Sequence, residues 1–337
     1  METRKIQKVG GSTFTVSVPK EWARRQGLET GEVVRLYTHR DGSLIVRGRQ
    51  TDGESLTSVS LSVTESSADA IERSIQGAYE AGFERISLHA DDGFTDEQRR
   101  AARTVGRRLV GTEVLDADAD RIDVRAMLDA SAVSIRQSID QAVSVVSTMQ
   151  ETVREKLTGD VEPAGQVSDR MTDVTRLVTL IRRHYNRSLV AFGELDALGI
   201  DRVALSQYDR TANRIEEIAT ATVRLDSAIG DVSLEAADRQ AVATRLTGLR
   251  SALEEATKLV VEGGDASAVS VPSPFEAQGR SAARSHDDNV DPSLARAFDQ
   301  LRRIGDAVRA IERIGLQSAV RAGRPQDRTN GTGQDRY

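Results

Sequence analysis

The spacing of apolar positions changes along the chain, and the changes mark out three parts. Near the N-terminus, Thr13-Phe14-Thr15-Val16-Ser17-Val18 alternates small polar and apolar side chains, the period-two pattern of a half-buried strand. Lys5 to Val9 reads as a strand before it, ended by the Gly10-Gly11 turn signal. Pro19 suits the first position of a short helix, Lys20 to Arg25, with Gly27 beyond its end. Val33 to Tyr37 and Ser43 to Arg47 flank Arg40-Asp41-Gly42, whose Asp-Gly pair favours a tight hairpin. Residues 1–50 are thus expected to be a small β unit with Phe14, Val16, Val18, Trp22 and Leu28 as its core. A unit this short cannot bury its own apolar faces. A homodimer with interleaved hairpins is expected.

Residues 51–57 are polar and read as a linker. Val59, Leu61 and Val63 then alternate as a strand, and Ser66 is placed to cap a helix reaching about Ala81. Glu84 to His89 reads as another strand. Thr95-Asp-Glu-Gln98 has the form of a capping box and opens a helix to Leu109. Strands follow near Val114 and at Ile122 to Val124. The alternation predicts a compact α/β subdomain over 56–125.

From about Arg125 the period becomes helical. Helices are expected from there to Leu157, from Val167 to Phe192, from Asp201 to Ile229 and from Leu234 to Glu262. The last of these spaces Val242, Leu246, Leu249, Leu253, Ala256 and Val260 as a bundle seam. Residues 263–292 are rich in Gly, Ser, Pro and Asp and are expected to be loop, followed by a helix from Pro292 to Arg321. Residues 322–337 read as a polar tail. The expected architecture is multidomain: an N-terminal β unit, a small α/β subdomain, and an all-α bundle over 126–321.

Charge sharpens this division. The net charge is −6, yet residues 1–50 carry ten Lys/Arg against five acids, which leaves −11 on the rest. A basic end on an acidic chain suits a protein that grips a polyanion with one part only. Three of the five lysines lie in the first twenty residues. Acid excess with scarce lysine and abundant arginine suggests a GC-rich, salt-loving prokaryote. The absence of cysteine excludes disulfides, thiolate metal sites and cysteine nucleophiles. No apolar run approaches the ~18 residues of a membrane span. The N-terminus lacks the apolar stretch of a signal peptide. Membrane insertion is not expected, and the expected compartment is the cytoplasm.

Catalytic chemistry is sparse. Gly10-Gly11-Ser12 precedes a strand, so it is not the loop-to-helix anion site of a nucleotide enzyme. His39, His89, His184 and His286 lie on separate segments. Glu216-Glu217 and Glu254-Glu255 are sequence neighbours, which do not face each other on a helix. No enzyme and no required cofactor are expected.

The N-terminal segment resembles the SpoVT/AbrB family. Pro19-Lys20, Gly27-Leu28 and Gly31-Glu32-Val33 fall where that family has its strand-ending Pro-Lys, its Gly-Leu and its Gly-acid-x-Val. The resemblance implies a swapped-hairpin dimer that presents basic residues to double-stranded DNA. By position, Lys5, Lys8, Ser12, Thr13, Lys20, Arg24 and Arg25 would make the contacts. Such contacts go mostly to phosphates, which position the protein rather than specify a sequence.

The helical region resembles PhoU, the phosphate-uptake regulator family, over about 126–321. Asp173-Val174, Arg176 and Leu177 fit its acidic helix, and Tyr208-Asp209 with Ile215 to Ala219 fit a second motif. Leu301 to Ile314 resembles a repeat of that motif. The resemblance implies carboxylates that hold a divalent or iron-type cation, here Asp169, Asp173, Asp209, Glu217 and Asp306. Thr175, Asn213 and Arg302 stand where further acids occur in the family, and a guanidinium beside a cation opposes its binding. The alternative is that these acids are solvated faces or ion pairs.

The whole arrangement resembles archaeal phosphate-uptake regulators, haloarchaeal ones in particular. It implies a dimeric DNA-binding transcriptional regulator of phosphate uptake and homeostasis. Two rivals stand beside it. One is an interaction protein whose bundle binds a phosphate transporter or sensor kinase while the N-terminal unit only dimerises. The other is an antitoxin, a role that shares the N-terminal fold but usually follows it with a short tail.

Overall fold

The computed structural model describes residues 3–11, 13–39, 42–48, 54–64, 67–159, 166–230, 234–263 and 292–322. The Arg40-Asp41 turn, the 263–292 loop beyond Gly263 and the tail beyond Ala322 therefore lie outside the described residues.

The N-terminal unit is two small antiparallel hairpins joined by a short helix. Strands β1 (Gln7–Val9) and β2 (Thr13–Thr15) pair with Gln7 opposite Thr15 and Lys8 opposite Phe14. Helix α1 spans Lys20–Arg25, with Pro19 extended just before it. Strands β3 (Arg35–Thr38) and β4 (Leu44–Arg47) form the second hairpin. The strands are shorter than their apolar pattern suggests.

The core expected here is not formed within one chain. Phe14, Val16 and Val18 are 70%, 51% and 47% exposed, and Trp22 and Leu28 are only half-buried. A pair of three-residue strands has no second layer to pack against, so its apolar side chains stay in solvent. Nor is the 51–57 segment a plain linker. Glu54–Leu56 forms a 3-10 turn and buries Leu56.

The α/β unit has a four-stranded sheet in the order β5-β6-β8-β7. Strand β5 (Ser58–Ser62) runs parallel to β6 (Arg85–His89), joined by helix α2 (Ala68–Ala81). Helix α3 (Asp96–Arg108) leads to the antiparallel pair β7 (Thr112–Ala117) and β8 (Arg121–Ala126). Thr95 and Gln98 form the reciprocal capping box. Ser67, one residue later than expected, caps α2 by accepting from the Ala70 amide at 3.3 Å. Ile71, Ile75 and Tyr79 of α2 pack on Ile86, Leu88, Ile122 and Val124 of the sheet as one core.

The C-terminal body is helical. The strand expected at Ile122 to Val124 is the inner strand β8, which runs on to Ala126; with the 3-10 turn at Ala130–Ala132 after it, the first helix starts later than the expected Arg125. Helix α4 (Ile135–Thr158) begins at Ser134, whose hydroxyl accepts from the Gln137 amide. The expected helix from Val167 to Phe192 is divided. A 3-10 turn at Val167–Arg170 leads into α5 (Met171–Ser188), and a corner follows before α6 (Gly193–Leu198). Helices α7 (Arg202–Gly230), α8 (Ala236–Glu262) and α9 (Pro292–Ala322) complete the body.

Helix α4 packs on α5, α7 and α8, and α9 packs on α7 and α8. The expected seam residues Val242, Leu246, Leu249, Leu253, Ala256 and Val260 are all buried, against Ile139, Val146, Ile304 and Ile311 among others. At roughly 1.5–3 kcal/mol per fully buried large side chain, this shared core is the main stabilising term of the body. Among the described residues no helix is long and apolar enough to cross a membrane.

Candidate nucleic-acid interface

Most of the basic residues singled out by the sequence lie on the outside of the hairpin unit. Lys5, Lys8, Thr13, Lys20, Arg24 and Arg25 are exposed, and Ser12 lies outside the described residues. Helix α1 buries none of its residues, although Trp22 and Ala23 turn partly inward. Lys20 and Arg24, four apart, share one helix face. Arg24 lies 3.7 Å from Glu21, but both side chains are largely solvated, so the pair holds it weakly.

The first hairpin does not gather its polar residues on one side. Cross-strand partners share a face, and successive residues alternate. Lys8 therefore points with Phe14, while Thr13 points with Val9 to the opposite face. One face of the hairpin thus combines an ammonium group with an uncovered aromatic ring. Gly10 makes the turn between the strands at φ 66°.

Uncovered apolar side chains continue across the unit. Ile6 is 70% exposed, Val33 86% and Leu36 60%. So many uncovered large apolar side chains on one small unit point to an interaction face rather than ordinary scatter.

The second hairpin is anchored to the helical body. Arg47 Nη2 donates to the Val190 carbonyl at 3.1 Å, and its guanidinium carbon lies 4.3 Å from the centre of the Phe192 ring. The Tyr37 ring packs on Phe192 from the other hairpin strand, with centroids 6.2 Å apart. His39 meets Phe192 edge-on and places Nδ1 3.4 Å from Asp196. Arg47 is one of the ten basic residues of the N-terminal segment, yet its side chain is committed to the body.

The corner that carries Phe192 is fixed from below. Arg182, Arg183, Asn186 and Arg187 project from α5 onto the end of α2. Arg183 donates to the carbonyls of Tyr79 at 2.7 Å and Phe83 at 2.9 Å. Asn186 donates to the Glu80 carbonyl at 2.8 Å, and Arg187 to that of Gly82 at 2.7 Å. Carbonyls at a helix C-terminus lack intrahelical donors and carry partial negative charge, so cations and amides from α5 satisfy them. Gly82 ends α2 at φ 104°, and an added Cβ would lie 2.5 Å from the Arg187 side chain. Both constraints call for glycine.

Burial pushes the Arg183 guanidinium down to about 10, opposed by the neighbouring Tyr79 and Glu194. Burial also pushes the Tyr79 hydroxyl up. Sequence reading missed this hub. Its visible signal is the run Arg182-Arg183-His184-Tyr185-Asn186-Arg187, too polar and basic for a surface that the helical period places against another element.

The acids suggested as cation ligands are dispersed. Asp169 and Asp173 are exposed at the start of α5. Asp209 is half-buried and accepts from Asn213 at 3.4 Å. Burial raises the Asp209 carboxyl above its usual range against the pull of Arg182, and its Oδ1 is buried without a hydrogen-bond partner. Glu217 and Asp306 line one cleft between α7 and α9. Glu217 is taken by Arg214, 2.7 Å away, and Asp306 by Arg309. Among the described residues no group of three or more His, Asp or Glu could hold a metal ion.

Residues 7–52 match the MazE family model, described as antidote-toxin recognition MazE, bacterial antitoxin. No curated protein matches the chain, and no solved structure does. The N-terminal segment is therefore a MazE/AbrB-like domain, of DNA-binding-regulator kind, set ahead of a mostly helical C-terminal region.

Proposed function

We propose that this protein is a dimeric DNA-binding regulator whose helical body senses a signal and whose N-terminal domain reads it out on an operator. The observation that carries this reading is the exposed, basic and apolar hairpin unit within the matched segment 7–52. A second copy supplies the missing layer over Ile6, Phe14, Val16 and Val18. Lys20, Arg24 and Arg25 then occur twice on one assembly, with Lys5, Lys8, Ser12 and Thr13 at the strand ends, and engage DNA phosphates. The acidic remainder of the chain, at −11, keeps the duplex at that one end.

The regulated pathway is phosphate uptake. This rests on the resemblance of the helical region to PhoU, in which Asp173, Asp209, Glu217 and Asp306 fall on motif positions. The body acts without catalysis and without a required cofactor. Its signal reaches the DNA-binding end through the α5–α6 corner, where Phe192 touches Tyr37, His39 and Arg47. The cytoplasm is the compartment this work requires.

The full chain should bind duplex DNA with an affinity that falls steeply with salt. A truncation starting at Thr57 should not. Equal binding by the two would end the proposal. Chromosome-wide occupancy in phosphate-replete and phosphate-starved cells tests the pathway separately. Occupancy that ignores phosphate would remove the pathway and leave DNA binding in place.

One observation favours a second reading. The matched family model is that of an antitoxin. On that reading the chain neutralises a toxin protein, and co-expression with a neighbouring toxin gene should rescue growth. The long ordered body, with its own core, is more than a toxin-wrapping tail needs.

A further inference from the structure

Among the described residues, the seam between α7 and α9 is uncovered along one side. The two helices run antiparallel there, and Arg210 Nη1 donates across the seam to Gln317 Oε1 at 3.2 Å. Two grooves follow one another along it. The first, of about 830 Å³, is lined by Arg202, Arg210 and Arg321 with Val203, Leu316 and Val320. The second, of about 610 Å³, adds Arg224, Arg303 and Arg313 beside Glu217 and Asp306.

Among the described residues the first groove has no acidic lining residue. The acids of the second are already engaged: Glu216 by Arg182, Glu217 by Arg214 and Asp306 by Arg309. Arg202, Arg224, Arg313 and Arg321 have no ion-pair partner among the described residues. Leu316 and Val320, four apart on one face of α9, are 39% and 50% exposed between these cations.

We propose that this seam is a docking groove for an acidic amphipathic segment of a partner protein. Guanidinium groups recognise carboxylates through paired, parallel hydrogen bonds, a geometry that ammonium groups do not supply. Leu316, Val320 and Val203 offer an apolar floor for side chains at helical spacing, the usual anchor of a helix laid in a groove. The distance from Arg202 to Arg224 along α7 is about 33 Å, which suits a helix of roughly 20 residues. The groove is open along its length, whereas a small-molecule site encloses most of its ligand.

A nucleic acid fits less well. Duplex DNA carries a charge every ~1.7 Å and would run past the arginines onto the acidic remainder of the chain. A short acidic segment ends where the arginines end. The proposal is independent of the N-terminal DNA-binding reading, which concerns another part of the chain and a polyanion of a different class.

Panning a displayed library of 20-residue helical peptides on the full-length protein tests the idea. Recovered peptides should be rich in Asp and Glu with apolar residues three and four apart. In fluorescence anisotropy, their affinity should fall at least about tenfold for the R202E/R321E double variant, as expected when charged contacts are reversed. The L316S variant should also weaken binding, and R239E, on the exposed surface of α8, should not. A peptide with its acids changed to Arg should recover binding to R202E/R321E. Thermal unfolding confirms that each variant is folded. Peptides without acidic enrichment, or equal affinity for wild type and R202E/R321E, would overturn the proposal. Displacement of the peptide by a 30-base-pair duplex would reassign the seam to nucleic acid. Self-association abolished by R202E/R321E would reassign it to a contact between copies.

Discussion

His184 Nδ1 lies 2.6 Å from Glu194 Oε1, and both side chains are buried. The other carboxylate oxygen accepts from Arg187 Nε at 3.0 Å, and Arg187 in turn donates to the carbonyl that ends α2. An ionised carboxylate only accepts, so Nδ1 carries the proton in this pair. A single glutamate on α6 thereby fixes the corner that holds Phe192 and ties it to the α/β unit.

The charge of Glu194 gives this corner a defined pH response. Burial works against ionisation, but the hydrogen bonds and charges of His184 and Arg187 outweigh it and hold the carboxyl below its usual range. A depressed carboxyl contributes its stabilisation fully above the unfolded value of about 4.3 and loses it as pH falls through the folded value. Glu194→Gln should therefore cost about 3 kcal/mol at pH 7, the scale for breaking a buried pair. The gap from wild type should narrow in acid. Urea titrations of both proteins at pH 7 and pH 3.5 check this, and a gap independent of pH would refute it.

Arg183 should behave as a bridge between units. Arg183→Met leaves the Phe83 carbonyl without this donor, at roughly 1–3 kcal/mol, while the Tyr79 carbonyl keeps the Gly82 amide. Hydrogen exchange should rise in α2 and β6 while α8 and α9 remain protected. Uniform exchange across the chain would mean that the arginine stabilises the whole fold and not this junction.

Phe14 should control assembly. Phe14→Ser removes the largest uncovered apolar side chain of the first hairpin, 70% exposed in the single chain. Sedimentation should show dissociation at concentrations where wild type is dimeric, with helical content unchanged. Wild-type association in this variant would place the contact between copies elsewhere.

Lys20 and Arg24 should contribute affinity without sequence preference. Replacing either by Gln should lower the slope of log K against log salt by about one for each phosphate left without its cation, similarly on specific and random duplexes. An effect confined to one sequence would show that the residue reads bases.

Structure that depends only on neighbours in the chain was legible in the sequence. The capping box at Thr95 and Gln98, the short helix after Pro19, and the α8 seam from Val242 to Val260 each follow from spacing over a few residues. The basic end and its hairpin character were legible for the same reason, since charge and alternation are local properties. Tertiary structure decided whatever depends on distant partners. The strand expected at Ile122 to Val124 took an inner place and ran on to Ala126 because β6 and β7 offered it backbone partners on both edges. Arg183 could be buried because the end of α2 presented carbonyls to a run that reads as surface. Glu217 and Asp306 met in one cleft because α7 and α9 pack side by side, a pairing no single helix reveals, although the arginine beside each, three residues away on its own helix, is a local feature. Phe14, Val16 and Val18 carry the pattern of a core, yet a core needs a second layer that one hairpin unit does not contain.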